Sequence, residues 1–161
     1  MELLVSMGII AIVSAVVFVG YRDAGERTFI QDQANMALSG IEEARSAALS
    51  ATQMTKDGDR VSEFTIHFEE DHFILFKGTD KENRRNFEGA VAVEEGVGKG
   101  IGFIPPEPEI IFFDSGGDLI EDEPHVDIVL RSTGEDSEII KVRTNRVGLV
   151  QVGREFEREE Q

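Results

Sequence analysis

The stretch LLVSMGIIAIVSAVVFVGY, residues 3–21, contains no charged residue and lies between Glu2 and Arg22. A helix over these 19 residues would be roughly 28 Å long, close to the hydrocarbon thickness of a bilayer. A buried core helix normally has one polar face, whereas this run is interrupted only by two serines and two glycines. We therefore predict a transmembrane helix. The apolar side chains assigned to the span are Leu3, Leu4, Val5, Ile9, Ile10, Ile12, Val13, Val16, Val17, Phe18 and Tyr21.

Glu2 stands at the start of this apolar run. A carboxylate inside hydrocarbon costs about 2.5–3.5 kcal/mol on insertion scales, so a glutamate at this position is a candidate for function. It could instead lie at the membrane interface, and the position alone does not separate the two interpretations. A cleaved secretory signal would have a basic start and a shorter apolar stretch, which this N-terminus lacks.

The helical pattern continues beyond the apolar run. Residues 22–54 contain no proline and consist mostly of good helix formers. Apolar residues recur there at alternating spacings of four and three, which is a continuous stripe on one helix face. The stripe consists of Ile30, Ala34, Ala37, Ile41, Ala44, Ala48 and Ala51. We predict one helix from residue 1 to about residue 54, roughly 75 Å long, whose second half is amphipathic and lies closely against a cap of β-structure.

The period changes from helical to two-residue after a turn signal at residues 56–60, KDGDR. Short β-branched or aromatic runs then alternate with clusters of Gly, Asp and Pro. The predicted strands are 61–68, 72–77, 89–93, 110–113, 126–130, 139–142 and 147–152. The predicted fold class is α+β, with a long N-terminal helix, part transmembrane and part amphipathic, packed on an antiparallel β-rich head. The predicted parts are residues 1–21, 22–55 and 56–161, the last with an acidic C-terminal tail.

The charge and the cysteine count exclude several functions. With 16 Lys and Arg against 32 Asp and Glu, the net charge is −16. Such a surface argues against nucleic-acid binding, which depends on neutralisation of phosphates by basic side chains. No cysteine is present, so disulfides, thiolate metal sites and cysteine nucleophiles are ruled out.

No catalytic group, metal site or cofactor site is predicted. The glycine-rich residues 96–102, GVGKGIG, lack the phosphate-loop spacing and are predicted to form a flexible turn. His67, His72 and His125 do not have the spacing of a zinc site. Acidic residues in two turns could bind calcium, but such residues commonly form turns, which is the role we favour. They are Asp57, Asp59, Asp114, Asp118, Asp122 and Glu123.

The first residues, MELLVSMGIIAIVSAVV, resemble the start of type IV pilins and pseudopilins, in which a glutamate precedes an apolar helix. The distal part, with IIFFDSGGD, VDIVLRS and EIIKVRTNRVGLVQV, is similar to the GspH/FimT-like minor pilins and pseudopilins. The family's basic leader and cleavage glycine do not precede Glu2 in this sequence, and we expect them upstream of Met1. The cysteine pair that closes the distal region of many major pilins is also absent.

The resemblance implies that Glu2 is the assembly glutamate, pairing with the N-terminal amine of a neighbouring subunit. It implies as partners other pilin or pseudopilin subunits, the membrane, a prepilin peptidase and an assembly platform. We predict a structural subunit, held in the cytoplasmic membrane as a single-pass protein with its head outside, that assembles into a type IV pilus or a type II secretion pseudopilus. The alternative is a membrane-anchored binding domain that does not polymerise. An enzyme is disfavoured, because no catalytic constellation is found.

Overall fold

The computed structural model describes residues 2–51, 63–78, 80–89, 91–105, 109–132 and 138–154. They form one helix, α1 (Glu2–Ala51), and nine strands. The strands are β1 (Phe64–Phe68), β2 (His72–Lys77), β3 (Asp80–Asn86), β4 (Val91–Glu95), β5 (Gly100–Ile104), β6 (Glu109–Phe113), β7 (His125–Ser132), β8 (Ile139–Asn145) and β9 (Val150–Gly153).

The strands form two antiparallel sheets. The first has the order β3-β2-β1-β5-β6 and the second the order β4-β7-β8-β9. In the centre of the first sheet, Ile66 pairs with Leu75 on one side and with Ile101 on the other. All three side chains are buried, because residues that oppose each other across antiparallel strands face the same side of the sheet.

The second half of α1 packs against both sheets. It contacts β1, β2 and β5 of the first sheet and β7, β8 and β9 of the second. The predicted stripe is the contact face, since its described side chains from Ile30 to Ala48 are at most 3% exposed. Gly40 lies on the same buried side, where a Cβ atom would stand 2.6 Å from Cε2 of Phe73. Small side chains therefore set how closely the helix approaches the sheets.

The structure contains two strands that the sequence pattern missed. Strand β3 is DKENRRN, whose polar residues predict a loop, but it is an edge strand and its outer side need not be apolar. Strand β5 contains the last residues of the glycine-rich segment that is predicted as a flexible turn. A Cβ at Gly100 would stand 2.8 Å from the ring of His67, and one at Gly102 would stand 2.7 Å from Ile111. Glycine in β5 thus makes room for neighbouring side chains.

The predicted strand 147–152 is also displaced. Strand β9 begins at Val150, and Gly148, with a φ of 83°, lies in the turn that precedes it. Val147 and Leu149 are therefore exposed turn residues. A sequence that alternates valine with other residues predicts a strand here, but the left-handed glycine ends β8 and reverses the chain.

The predicted fold class is wrong, because it assigns a transmembrane half to the helix. Among the described residues, no helical segment combines the length and the apolar character needed to cross a bilayer. Over the described ranges, the fold is instead one helix combined with nine strands in two antiparallel sheets.

Several sequence-based predictions fall outside the described residues. They concern the helix end at residues 52–54, the turn signal at 56–60 with its two aspartates, the first residues of the strand predicted at 61–68, and the acidic tail after residue 154. The boundary predicted between residues 55 and 56 lies in the same gap.

We expect Gly40→Ala to destabilise the protein by about 1–3 kcal/mol, the usual cost of overpacking a core. The ring of Phe73 is fully buried and lies 5.8 Å, centroid to centroid, from the rings of Phe68 and Phe87, so it cannot move aside cheaply. The matched control is Gly25→Ala on the same helix, where a Cβ would meet nothing within 4 Å.

The control variant should be neutral or more stable by up to about 1 kcal/mol, because alanine favours a helix over glycine. Urea unfolding of both variants and of the wild type measures the difference. Equal unfolding free energies for Gly40→Ala and Gly25→Ala would show that close approach of the helix is not required.

Candidate assembly surface

The first part of α1 carries an exposed apolar segment. Its large described apolar side chains between residues 7 and 17 are 55–68% exposed. They are Met7, Ile9, Ile10, Ile12, Val13 and Val17, which we call the exposed apolar segment. Ile30 on the same helix is fully buried. A single helix thus has one part within the core of the head and another part whose large described apolar side chains are more than half exposed.

The residues predicted to span a membrane fall into two groups. Ile9, Ile10, Ile12, Val13 and Val17 belong to the exposed apolar segment. The other group consists of residues whose side chains lie outside what the structure describes. These are Leu3, Leu4, Val5, Val16, Phe18 and Tyr21. Glu2 is the first residue of α1, and its side chain is likewise outside the described part.

For two glycines in α1, the part of the chain that the structure describes offers no packing reason. A Cβ at Gly8 or Gly25 would find open space, in contrast to Gly40. Glycine in a helix interior costs about 1 kcal/mol relative to alanine. Gly8 lies among the residues of the exposed apolar segment, where the absence of a side chain permits another helix to approach closely.

Polar contacts fix α1 where it enters the head. Nε of Arg27 donates to Oε1 of Glu138 at 2.9 Å, and Oε1 of Gln33 accepts a hydrogen bond from the backbone N–H of Glu88, also at 2.9 Å. Between them, Phe29 fills the space beside Gly89, where a Cβ would stand 2.8 Å from its ring. The direction in which the helix leaves the sheets is therefore set by contacts on two sides.

The outer face of the second sheet carries a group of charges with a structural role. Nε and Nη2 of Arg143 donate to the two carboxylate oxygens of Asp127 at 2.8 and 2.9 Å, and Nζ of Lys141 lies 3.4 Å from Oδ2. Burial raises the pKa of Asp127, but the hydrogen bonds and charge of Arg143, with the charges of Lys141 and His125, outweigh this and hold the pKa below its ordinary value. The cluster ties β7 to β8.

The histidines take part in packing and surface contacts. His67 stacks on Phe113 at 5.9 Å and meets Phe76 edge-on at 5.4 Å. Burial lowers the pKa of His67, although Glu69 and Glu63 act in the opposite direction. His72 contacts Asp71 and Arg84. In the described part of the chain, no three histidine or acidic side chains come together as a metal site would require.

The acidic turn after β6 is built by one aspartate. Oδ1 of Asp114 accepts hydrogen bonds from the backbone N–H groups of Gly116 and Asp118, at 2.8 and 2.9 Å. This is the turn-forming role that the sequence favours for Asp114. Asp57 and Asp59, the acidic residues of the other turn considered for calcium, lie outside the described residues.

Sequence reasoning missed a second exposed apolar feature on the head. Leu119, Val147 and Leu149 are all more than half exposed. The signal was present at Gly148, because a glycine between two apolar residues predicts a turn as well as a strand. Leu119 comes directly after the turn DSGGD, and the glycine pair of that turn likewise predicts that the residue beside it is exposed.

We expect Asp127→Asn to destabilise the protein at pH 7 by about 1 kcal/mol, a modest value because the cluster is partly solvated. A carboxylate whose pKa is lowered in the folded state stabilises that state above its unfolded pKa of about 3.9. The contribution is lost as the pH falls through the lower pKa of the folded protein, so wild type and variant should converge in strong acid.

Urea unfolding between neutral and acidic pH measures this difference. Glu42→Gln, on the exposed side of α1, is the control for the general effect of removing one negative charge. A difference between wild type and Asp127→Asn that does not shrink in acid would contradict the ionic account of the cluster.

The chain was compared with protein-family models, with curated proteins and with solved structures, and nothing matched in any of the three comparisons. The pilin-like resemblance therefore rests on the quoted residues alone.

Proposed function

We propose that the protein is a structural subunit, of the minor pilin or pseudopilin kind, that assembles with other subunits through the first part of α1. The observation that carries this proposal is the contrast along one helix between a buried stripe and the exposed apolar segment. The resemblance of the first residues to type IV pilins supports the same function.

Exposure of this segment to water is unfavourable. Full burial of a valine, isoleucine or methionine side chain contributes about 1.5–3 kcal/mol. Six such side chains, each more than half exposed, follow one another within residues 7–17. A contiguous apolar surface of this kind is typical of a contact with another molecule.

Helices from other subunits are the occupants that we propose. The segment is rich in isoleucine and valine, whose few rotamers pack well between helices. Gly8, with open space at its Cβ position, lets a second helix come close. The proposed partners are other pilin or pseudopilin subunits, and the cytoplasmic membrane is the proposed place from which they assemble. A prepilin peptidase and an assembly platform belong to the proposal through the resemblance alone.

The charge of the head fits an arrangement with helices inside and heads outside. Residues 57–161 contain 26 acidic and 12 basic side chains. Heads of like charge repel one another, and the repulsion is screened within about 10 Å at 0.1 M salt. The cohesion of an assembly would then come from contacts between the apolar helices. The acidic heads could lie close together only where salt screens their repulsion.

Single-cysteine crosslinking tests the proposal, because the chain contains no cysteine of its own. We expect Ile10→Cys, treated with a bifunctional maleimide after removal of detergent, to give a ladder of multimers on a denaturing gel. The control is Val147→Cys, whose native side chain is the more exposed of the two, at 84% against 64%.

If crosslinking depended only on the accessibility of the cysteine, it would be at least as strong for Val147→Cys as for Ile10→Cys. Equal ladders from the two variants, or only monomer from Ile10→Cys, would contradict assembly through the helix. Electron microscopy of the uncrosslinked wild-type protein shows whether the multimers are filaments.

Glu2 gives a second test of the same function. If its carboxylate pairs with an amine of a neighbouring subunit, Glu2→Leu should reduce multimer yield strongly, because breaking a buried ion pair costs about 3–5 kcal/mol. The control is Asp32→Asn, an exposed acidic residue of the same helix. Crosslinked multimers are quantified for both variants in the Ile10→Cys background, and an unchanged yield from Glu2→Leu would remove this role.

A further inference from the structure

Two loops meet at one end of the head and are joined by Arg146. Its Nε donates to the carbonyl oxygen of Glu123 at 2.9 Å, and Nη2 donates to the carbonyl oxygens of Ile120, at 2.7 Å, and Glu121. The guanidinium carbon also lies 5.6 Å from the ring centroid of Phe112. One side chain thus connects the turn before β9 to the loop before β7.

Both loops are held by further hydrogen bonds. Oδ1 of Asn145 accepts from the backbone N–H groups of Val147 and Leu149, at 3.1 and 2.9 Å. Asp114 fixes the turn after β6 in the same manner, as described above. A loop whose backbone is already held in this way loses less freedom when it binds a partner, which favours affinity.

The exposed side chains on these loops are apolar. Val147 is 84% exposed, Leu119 56% and Leu149 54%. Turns usually carry Gly, Asn, Asp, Ser or Pro, and the fold needs none of these three side chains for its core. A lone exposed apolar residue would be unremarkable, but here three occur on two loops that Arg146 ties together.

Acidic side chains lie on the same loop as Leu119. Asp118, Glu121, Asp122 and Glu123 are all exposed. Of these four, only Glu123 forms an ion pair with a described residue, Lys99, at 3.7 Å. The guanidinium of Arg146 brings one positive charge to these loops, where backbone carbonyl groups hold it, and the four carboxylates outnumber it. We call Leu119, Val147 and Leu149, with Asp118, Glu121 and Asp122, the end patch.

We propose that the end patch binds a different protein, through a surface on which apolar side chains are flanked by lysine or arginine. Charge complementarity with the unpaired carboxylates selects basic residues in the partner. The apolar side chains supply contact area that a simple cation would not use.

A second copy of this chain fits the end patch poorly. Most described arginines are engaged within the protein, with Arg85 on Glu43, Arg131 on Glu94 and Arg143 on Asp127. The exposed described lysines Lys77 and Lys81 lie at the turn between β2 and β3, beside the exposed acidic residues Asp80 and Glu82, so they are a poor match for the end patch of a second copy. The net charge of −16 also opposes approach of another head.

The test uses the full chain and a fluorescein-labelled peptide in which lysine alternates with leucine. Fluorescence anisotropy is recorded in non-ionic detergent, with the signal of the peptide in detergent alone subtracted. We expect Val147→Ser combined with Leu149→Ser to weaken binding about tenfold, a loss of about 1.4 kcal/mol. Val97→Ser is the control, since Val97 is an exposed residue of another turn. The Val97→Ser variant should bind the peptide with the affinity of the wild type.

The charges are tested separately. Glu121→Gln combined with Asp122→Asn should weaken binding and reduce its dependence on salt, whereas Asp32→Asn combined with Glu42→Gln should leave both unchanged. A peptide in which lysine alternates with serine should bind more weakly than the leucine peptide.

Three results would overturn the proposal. The first is equal affinity of the wild type and the Val147→Ser, Leu149→Ser variant. The second is equal weakening by the two pairs of acidic substitutions, which would indicate attraction to the negative charge as a whole. The third is self-association that disappears in the Leu149→Ser variant, which would make a second copy the occupant. None of these measurements depends on assembly through α1.

Discussion

Between Ile30 and Ala48, α1 packs against both sheets. Most of its contact residues are alanine or glycine, so the helix backbone lies close to the aromatic side chains of β1 and β2. The closeness is greatest at Gly40, where the ring of Phe73 occupies the place of a side chain. Larger residues would move the helix away from both sheets. The position of every strand relative to the helix depends on this contact.

The same contact separates the two ends of the helix. Arg27, Phe29 and Gln33 fix the helix where it enters the head, and the described apolar residues before Arg27 have no part in the core. Those residues are consequently available to other molecules without any cost to the fold of the head. The proposed assembly depends on this division, since each subunit can join neighbours through one end of α1 and keep its sheets unchanged.

Much of the helix and its contact face could be predicted, because a spacing of three and four residues repeats from Ile30 to Ala48. Strands with alternating apolar residues, such as β1 and β7, were also visible in the sequence. Strand β3 was not, because an edge strand can be polar throughout. Strand β5 was not predicted either, because its glycines make room for His67 and Ile111. These two residues lie beside the glycines only once the sheet has formed.

The surfaces were predicted less well than the core. The apolar run at residues 3–21 drew attention to the first part of α1, but the predicted transmembrane half was wrong, since no described helical segment meets the requirement for a span. The end patch was not predicted, because Val147 and Leu149 belong to the predicted strand 147–152, whereas β9 begins at Val150. Burial of a side chain is a property of the folded chain, and periodicity alone does not determine it for residues beside a turn.

Hydrogen exchange of the full chain, compared between detergent-dispersed monomers and assembled multimers, tests the central claim most directly. The account predicts slow exchange of the amides from Ile30 to Ala48 in both states, because they lie against the sheets. It predicts that amides of residues 7–17 exchange faster in the monomer and become protected in the multimer. Equal protection of the two helix segments in the monomer, or no gain at residues 7–17 on assembly, would contradict it.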